Sequence, residues 1–130
     1  MAINQSQYDP AVRAGAKIGV FAGGSTVTQI TSRATGVTIN ALSGTITTDT
    51  SSLAAEASAV FVVTNNTVEI GDVIVCSIRS GAIALNTDVV VTSVAAGSFS
   101  ITVINNNVAS GTAETGAIII NFLVLKAVTA

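Results

Sequence analysis

The stretch Val94-Ala95-Ala96-Gly97-Ser98-Phe99-Ser100-Ile101-Thr102-Val103-Ile104-Asn105-Asn106 decides the fold. From Ser98 onward it alternates strictly. Phe99, Ile101 and Val103 point one way and Ser98, Ser100 and Thr102 the other, the period of a strand with one buried face. Just before it, Gly97 is free to take a positive φ. The β-branched run 88–95 and the strand 98–104 are therefore expected to form a tight hairpin.

The same grammar extends outward in both directions. From Ser25, β-branched runs of five to ten residues are separated by Gly, Asn and Ser clusters, and strands are expected near 25–31, 36–40, 44–48, 57–64, 73–79, 88–95, 98–104 and 117–126. In 73–79, Ile74, Cys76 and Ile78 share one face, so Cys76 reads as a small core hydrophobe. The last strand is apolar on both faces apart from Asn121, which suits either a central strand or one pressed against another subunit. "VVTNNTVEIGDV" and "TVINNNVASGTA" echo each other as a strand followed by an Asn run, and the Asn residues read as turn formers that tolerate left-handed backbone. "SSLAAEASA" at 51–59 is the one segment that suits a short helical turn. The expected fold is all-β: an antiparallel, jelly-roll-like β-sandwich over 25–130, preceded by an extended or irregular N-terminal arm over 1–24.

That arm holds the only proline, Pro10, and shows no steady period. It suits a solvated tail or a tether that orders on a neighbour. Tyr8, Val12, Ile18, Val20 and Phe21 supply apolar anchors for the second case. It lacks the basic-then-apolar order of a signal peptide. The most apolar run, 117–125, is well short of the roughly 20 residues of a membrane-spanning helix, and a membrane barrel would call for aromatic girdles that five Phe and Tyr residues do not supply.

Only 9% of the 130 residues are charged, while 49% are hydrophobic. A folded monomer of 12.9 kDa would expose roughly 6,300 Å², on the order of 500 Å² per charged side chain. With a mean hydropathy of +0.71, such a surface is expected to be covered by further copies or by a partner. The five basic residues, Arg13, Lys17, Arg33, Arg79 and Lys126, are scattered and the net charge is −2, which argues against direct nucleic-acid binding.

The chain has no histidine, so it lacks imidazole catalysts and imidazole metal ligands. No base stands by to activate Cys76. Glu56, Glu69, Asp72, Asp88 and Glu114 are candidates for a glycosidase pair by type alone, without the aromatics that stack on sugars. "EIGDV" places Glu69 and Asp72 around Gly71 without the spacing of a calcium loop and reads as a turn. Asn4-Gln5-Ser6 and Asn65-Asn66-Thr67 match the glycosylation acceptor pattern as chance matches in an Asn-rich chain. A non-enzyme without cofactor or metal is expected.

"VTQITSRATGVTINALSGTITTDTSSLAAEASAVFVVTN" at 27–65, the hairpin "VAAGSFSITVINN" and the terminal "AIIINFLVLKA" together resemble small virion proteins of tailed bacteriophages, above all capsid decoration or cement proteins. The resemblance spans residues 25 to 127, and Thr31-Ser32-Arg33-Ala34-Thr35-Gly36-Val37-Thr38 is its most recognisable element. It implies a β-sandwich subunit, commonly trimeric, that sits on the outer capsid surface of the virion after synthesis in the host cytoplasm. There it would tie neighbouring major capsid subunits together. Tyr8, Arg13, Lys17, Arg33 and Phe122 are the expected interface residues. For Arg33, three roles stand open: fixing its turn through backbone carbonyls, reaching a carboxylate on another subunit, or standing solvated at the surface. The alternative functions are a tail or fibre subunit that binds a host receptor and, from another class, a carbohydrate-binding module or carboxylate enzyme.

Overall fold

The structure, a computed structural model, describes residues 24–127. Tyr8, Arg13, Lys17 and the expected arm as far as residue 23 lie outside the described residues. Eight strands form: β1 (Ser25–Thr28), β2 (Val37–Thr38), β3 (Ser43–Thr47), β4 (Ser58–Thr64), β5 (Val73–Ser80), β6 (Thr87–Ala95), β7 (Ser98–Asn105) and β8 (Ile119–Leu125). They make two four-stranded sheets packed face to face, in the orders β1-β3-β8-β5 and β2-β4-β7-β6.

The expected hairpin forms one side of the second sheet, with β7 inside it and β6 at its edge. β6 and β7 pair through to Ala95↔Ser98, and Gly97 takes φ +80 in the two-residue turn. Before it, the chain changes sheet at every connection, from β1 through to β6. Strands two apart in sequence therefore return to the same sheet in the same direction, and β1 pairs β3, and β2 pairs β4, in parallel. The hairpin then inserts β7 between β4 and β6, and β8 inserts between β3 and β5, so every later pairing is antiparallel. The two sheets are thus mixed rather than purely antiparallel. β8 is a central strand of its sheet, with Ile120, Phe122 and Val124 turned to the core and Ile119, Asn121, Leu123 and Leu125 to the outward face.

The core is the inward row of each strand. Phe61, Val63, Phe99, Ile101 and Val103 from one sheet meet Ile46, Ile120, Phe122 and Val124 from the other. Phe99 and Phe122 bridge the layers with ring centroids 5.4 Å apart. Burying each such side chain contributes roughly 1.5–3 kcal/mol, which explains why a two-residue alternation suffices to place the strands. Cys76 packs half-buried against this core, and burial raises its thiol pKa.

Two local expectations change. Residues 51–59 form no helical turn: Leu53 pairs with Glu114 in an isolated antiparallel bridge, and Glu56 adopts φ +62, which no right-handed helix accepts. The Asn runs turn the chain without left-handed backbone. Asn65, just past β4, and Asn105, the last residue of β7, are both fully buried and accept the N–H two residues on (Thr67 and Asn107, both 3.0 Å). Their amides donate to Ala41 O and to Leu53 O and Thr112 O. The sequence echo is one Asx-turn device used twice.

Candidate functional site

Four connections cross between the sheets at one end of the sandwich. From the β1/β2 edge to the β5/β6 edge they run in the order 29–36, 48–57, 106–118 and 81–86. A relay of buried polar side chains joins them. Gln29 closes the first loop by donating to Arg33 O (3.0 Å) and Thr35 O (2.8 Å), while its Oε1 accepts Asp49 N–H from the second (3.1 Å). This turns Arg33 inward. Its Nε donates to Ser51 O (2.5 Å) and its Nη1 to Thr48 Oγ1 (3.1 Å), both in the second loop. Its Nη2 reaches the third loop at Gly116 O (2.7 Å) and Glu114 O (3.3 Å). Glu114 carries the relay on: Oε2 accepts Ile83 N–H (2.8 Å) of the fourth loop and Thr87 Oγ1–H (2.7 Å) at the start of β6, and Oε1 accepts Gly116 N–H (3.2 Å).

Arg33 is only 3% exposed and Glu114 1%. Burial lowers the Arg33 pKa more than the charges of Glu114 and Asp49 raise it. For Glu114, burial pushes upward, but the Ile83 N–H, the Thr87 hydroxyl, the Gly116 N–H and the Arg33 charge together hold it below the ordinary carboxylate range. No buried side-chain nitrogen or oxygen among the described residues lacks a partner. Burying so many polar groups is tolerable only because the network is complete.

The structure shows none of the three roles expected for Arg33: Gln29 closes its turn, and the Arg33 fork is spent inside the chain on backbone carbonyls of the second and third crossing loops and on Thr48 Oγ1. Phe122, also 3% exposed, is core. Neither side chain reaches the surface as an interface residue would, because each is already enclosed by its own subunit. The five candidate carboxylates are dispersed. Glu114 sits in the relay, and Glu56 and Asp88 lie apart on the surface near the same end. Glu69 and Asp72 lie at the opposite end, where Lys126 Nζ pairs with Asp72 Oδ2 (2.6 Å) and Glu69 Oε2 (3.2 Å). The Lys126 contact, with the N–H groups of Ala127 and Glu69, lowers the Asp72 pKa to about 2. No group of three or more metal-binding side chains occurs among the described residues.

What the strands present outward is more distinctive. On the first sheet the outward rows are Val73–Leu125, Val75–Leu123–Ser43, Ser77–Asn121–Thr45–Thr26 and Ser80–Ile119–Thr47–Thr28. None of these residues is charged, and Val73, Val75 and Leu125 are about half exposed. On the second sheet the rows are Thr38–Thr64–Ser98–Ala95, Val62–Ser100–Ser93, Val60–Thr102–Val90 and Ser58–Ile104–Asp88. Asp88 is the one charge there. Arg79 stands at the bulge of β5, outside the paired rows. The crossing loops add three exposed aliphatic tips, Ile30, Leu85 and Val108, of which Leu85 is fully exposed at φ +69.

Of these features, the composition signals the thin surface charge. The relay carries no local signal, because Arg33 finds its partners up to 83 residues away. Compared with protein-family models, with curated proteins and with solved structures, the chain matches none.

Proposed function

We propose that this chain is a structural subunit of a tailed-bacteriophage virion: a decoration protein, trimeric, that binds the outer capsid surface and bridges major capsid subunits. One observation carries the reading. Across both outward sheet faces a single paired position is charged, and exposed valines and leucines stand among Ser, Thr and Asn. Interfaces deplete charge at their cores, and monomers rarely leave such area bare. Stabilisation of the shell follows by mass action, since a subunit that binds only the assembled lattice favours it over alternatives.

The test is a cryo-electron microscopy map of purified particles that carry the chain. Density for it at regular positions over the head supports the reading, and density confined to the tail overturns it. The second outcome would favour the alternative, a tail or fibre subunit that contacts a receptor. Ile30, Leu85 and Val108, gathered at one end of the sandwich, suit that role.

A further inference from the structure

β5 and β6 are each one edge of their sheets, unpaired on the outer side among the described residues, and lie side by side along one margin of the sandwich. Between them runs an open groove of about 410 Å³, lined by Ile74, Val75, Cys76, Val89, Val90 and Val91. Every lining residue is apolar. An unpaired strand edge beside an apolar groove is a template for a further strand, with main-chain hydrogen bonds giving affinity and alternate side chains filling the groove. Arg79 and its bulge guard the end of β5 near the crossing loops, and the stretch Val73–Ile78 is regular and unguarded.

We propose that residues 17–21, Lys17-Ile18-Gly19-Val20-Phe21, of one copy of this chain lie as an added strand along the β5 edge of the next copy. Three observations select this occupant. First, an added strand here must be apolar on both faces, since β5 offers Ile74 and Cys76 inward and Val73 and Val75 outward. The segment provides Ile18 and Val20 on one side and, on the other, Phe21 beside Gly19, with the charge of Lys17 at its start. Second, charges complement. Residues 1–23 carry Asp9, Arg13 and Lys17, net +1, and the rest of the chain carries three basic and six acidic groups, net −3, together −2. Glu69, largely exposed, stands in the loop that leads into β5, where together with Asp72 it outnumbers its partner Lys126 by one charge.

Third, the geometry favours a second copy over the same one. The segment leads, through Ala22, Gly23 and Gly24, directly into β1, the opposite edge of the sheet from β5. The chain's own β5 lies three strand spacings away, roughly 14 Å. A strand added beyond β5 stands one spacing further, roughly 19 Å, whereas residues 21–24 span roughly 14 Å at full extension, so Phe21 would fall short of that position on any path across its own sheet. A neighbour placed with its β5 edge beside β1 needs no such crossing. The contact is head-to-tail, a kind that closes into rings. This deepens the assembly part of the proposed function. Its test uses purified full-length protein without particles, so it stands or falls apart from the capsid assignment.

Cys76, the single cysteine of the chain, lines the groove and serves as the reporter. Under native conditions Val20→Asp, which leaves every described residue unchanged, is expected to raise the rate of maleimide labelling of Cys76 at least tenfold over the wild type, with an unaltered circular dichroism spectrum. Independently, Ile18→Cys oxidised with diamide should yield species of two and three chains on non-reducing gels, through disulfides between the introduced thiol and Cys76. Equal labelling rates in wild type and Val20→Asp, or a disulfide formed only within single chains, would overturn the proposal.

Discussion

Arg33 and Glu114 lie 81 residues apart and meet through the guanidinium and the backbone: Arg33 Nη2 donates to the Glu114 carbonyl oxygen, while the Glu114 carboxylate turns to Ile83 and Thr87. Each residue thus binds a different loop, and the pair joins four crossing connections in series. Because the partners are mostly neutral groups, removing either residue strands several donors or acceptors at once.

Arg33→Ala should therefore cost about 3 kcal/mol or more, since it leaves Ser51 O and Gly116 O without their donor, leaves Thr48 Oγ1 with the Ile118 N–H alone, and opens a cavity. The thermal midpoint should fall by about 10 °C. Arg33→Lys, which keeps the charge but not the fork, should fall between. A lysine variant as stable as the wild type would contradict the role given to the fork.

Glu114→Gln presents an NH₂ group to at least one of the donors that now face a carboxylate oxygen. We expect a loss of about 1–3 kcal/mol and faster amide hydrogen exchange at Ile83 or Gly116. The wild-type carboxyl is held below the ordinary range, so its contribution is complete above that range and is lost as pH falls through the lowered folded value. Unchanged protection at both amides in the variant would refute the assignment.

Asp72 tests the other end of the sandwich. Its pKa is lowered from 3.8 to about 2, so the stability it supplies is fully present above about pH 4 and drains away between about pH 4 and 2. Lys126 has the opposite sign. Its pKa is raised, and its contribution persists below 10.5 and is lost as pH rises beyond. Thermal melts from pH 2 to 7 should show the acid decline, and Asp72→Asn should flatten it. An equally steep decline in the variant would place the cause elsewhere.

Two glycines should behave differently although both have positive φ. A Cβ at Gly81 (φ +90) would collide with the Ala117 carbonyl oxygen, whereas at Gly97 (φ +80) it would meet nothing within 4 Å. Gly97→Ala should cost about 1–2 kcal/mol, the left-handed penalty alone, and Gly81→Ala roughly 3 kcal/mol or more. Urea denaturation midpoints decide between them, and equal costs would contradict this account of the 81–86 loop.

Leu85 combines full exposure with a left-handed backbone, an arrangement that favours Asn. Leu85→Asn should raise the thermal midpoint by about 2–4 °C. A fall would show that the leucine side chain supports the fold in a way its exposure denies.

The sequence by itself determined the strands. A period of two written in Phe99, Ile101 and Val103 can be buried in only one way, and Gly97 supplies the backbone a two-residue turn requires. Charge content likewise announced thinly charged outward faces, since composition survives any folding. Strand ends were less legible: β1 stops at Thr28 because the Gln29 amide turns the next residues back on Arg33 and Thr35, a bond that no period reveals. The parallel pairs, the central place of β8 and the destination of Arg33 were decided by tertiary structure alone. A buried guanidinium is tolerable only where carbonyls from separate loops converge, and convergence across 83 residues exists only with β7 and β8 in place inside their sheets.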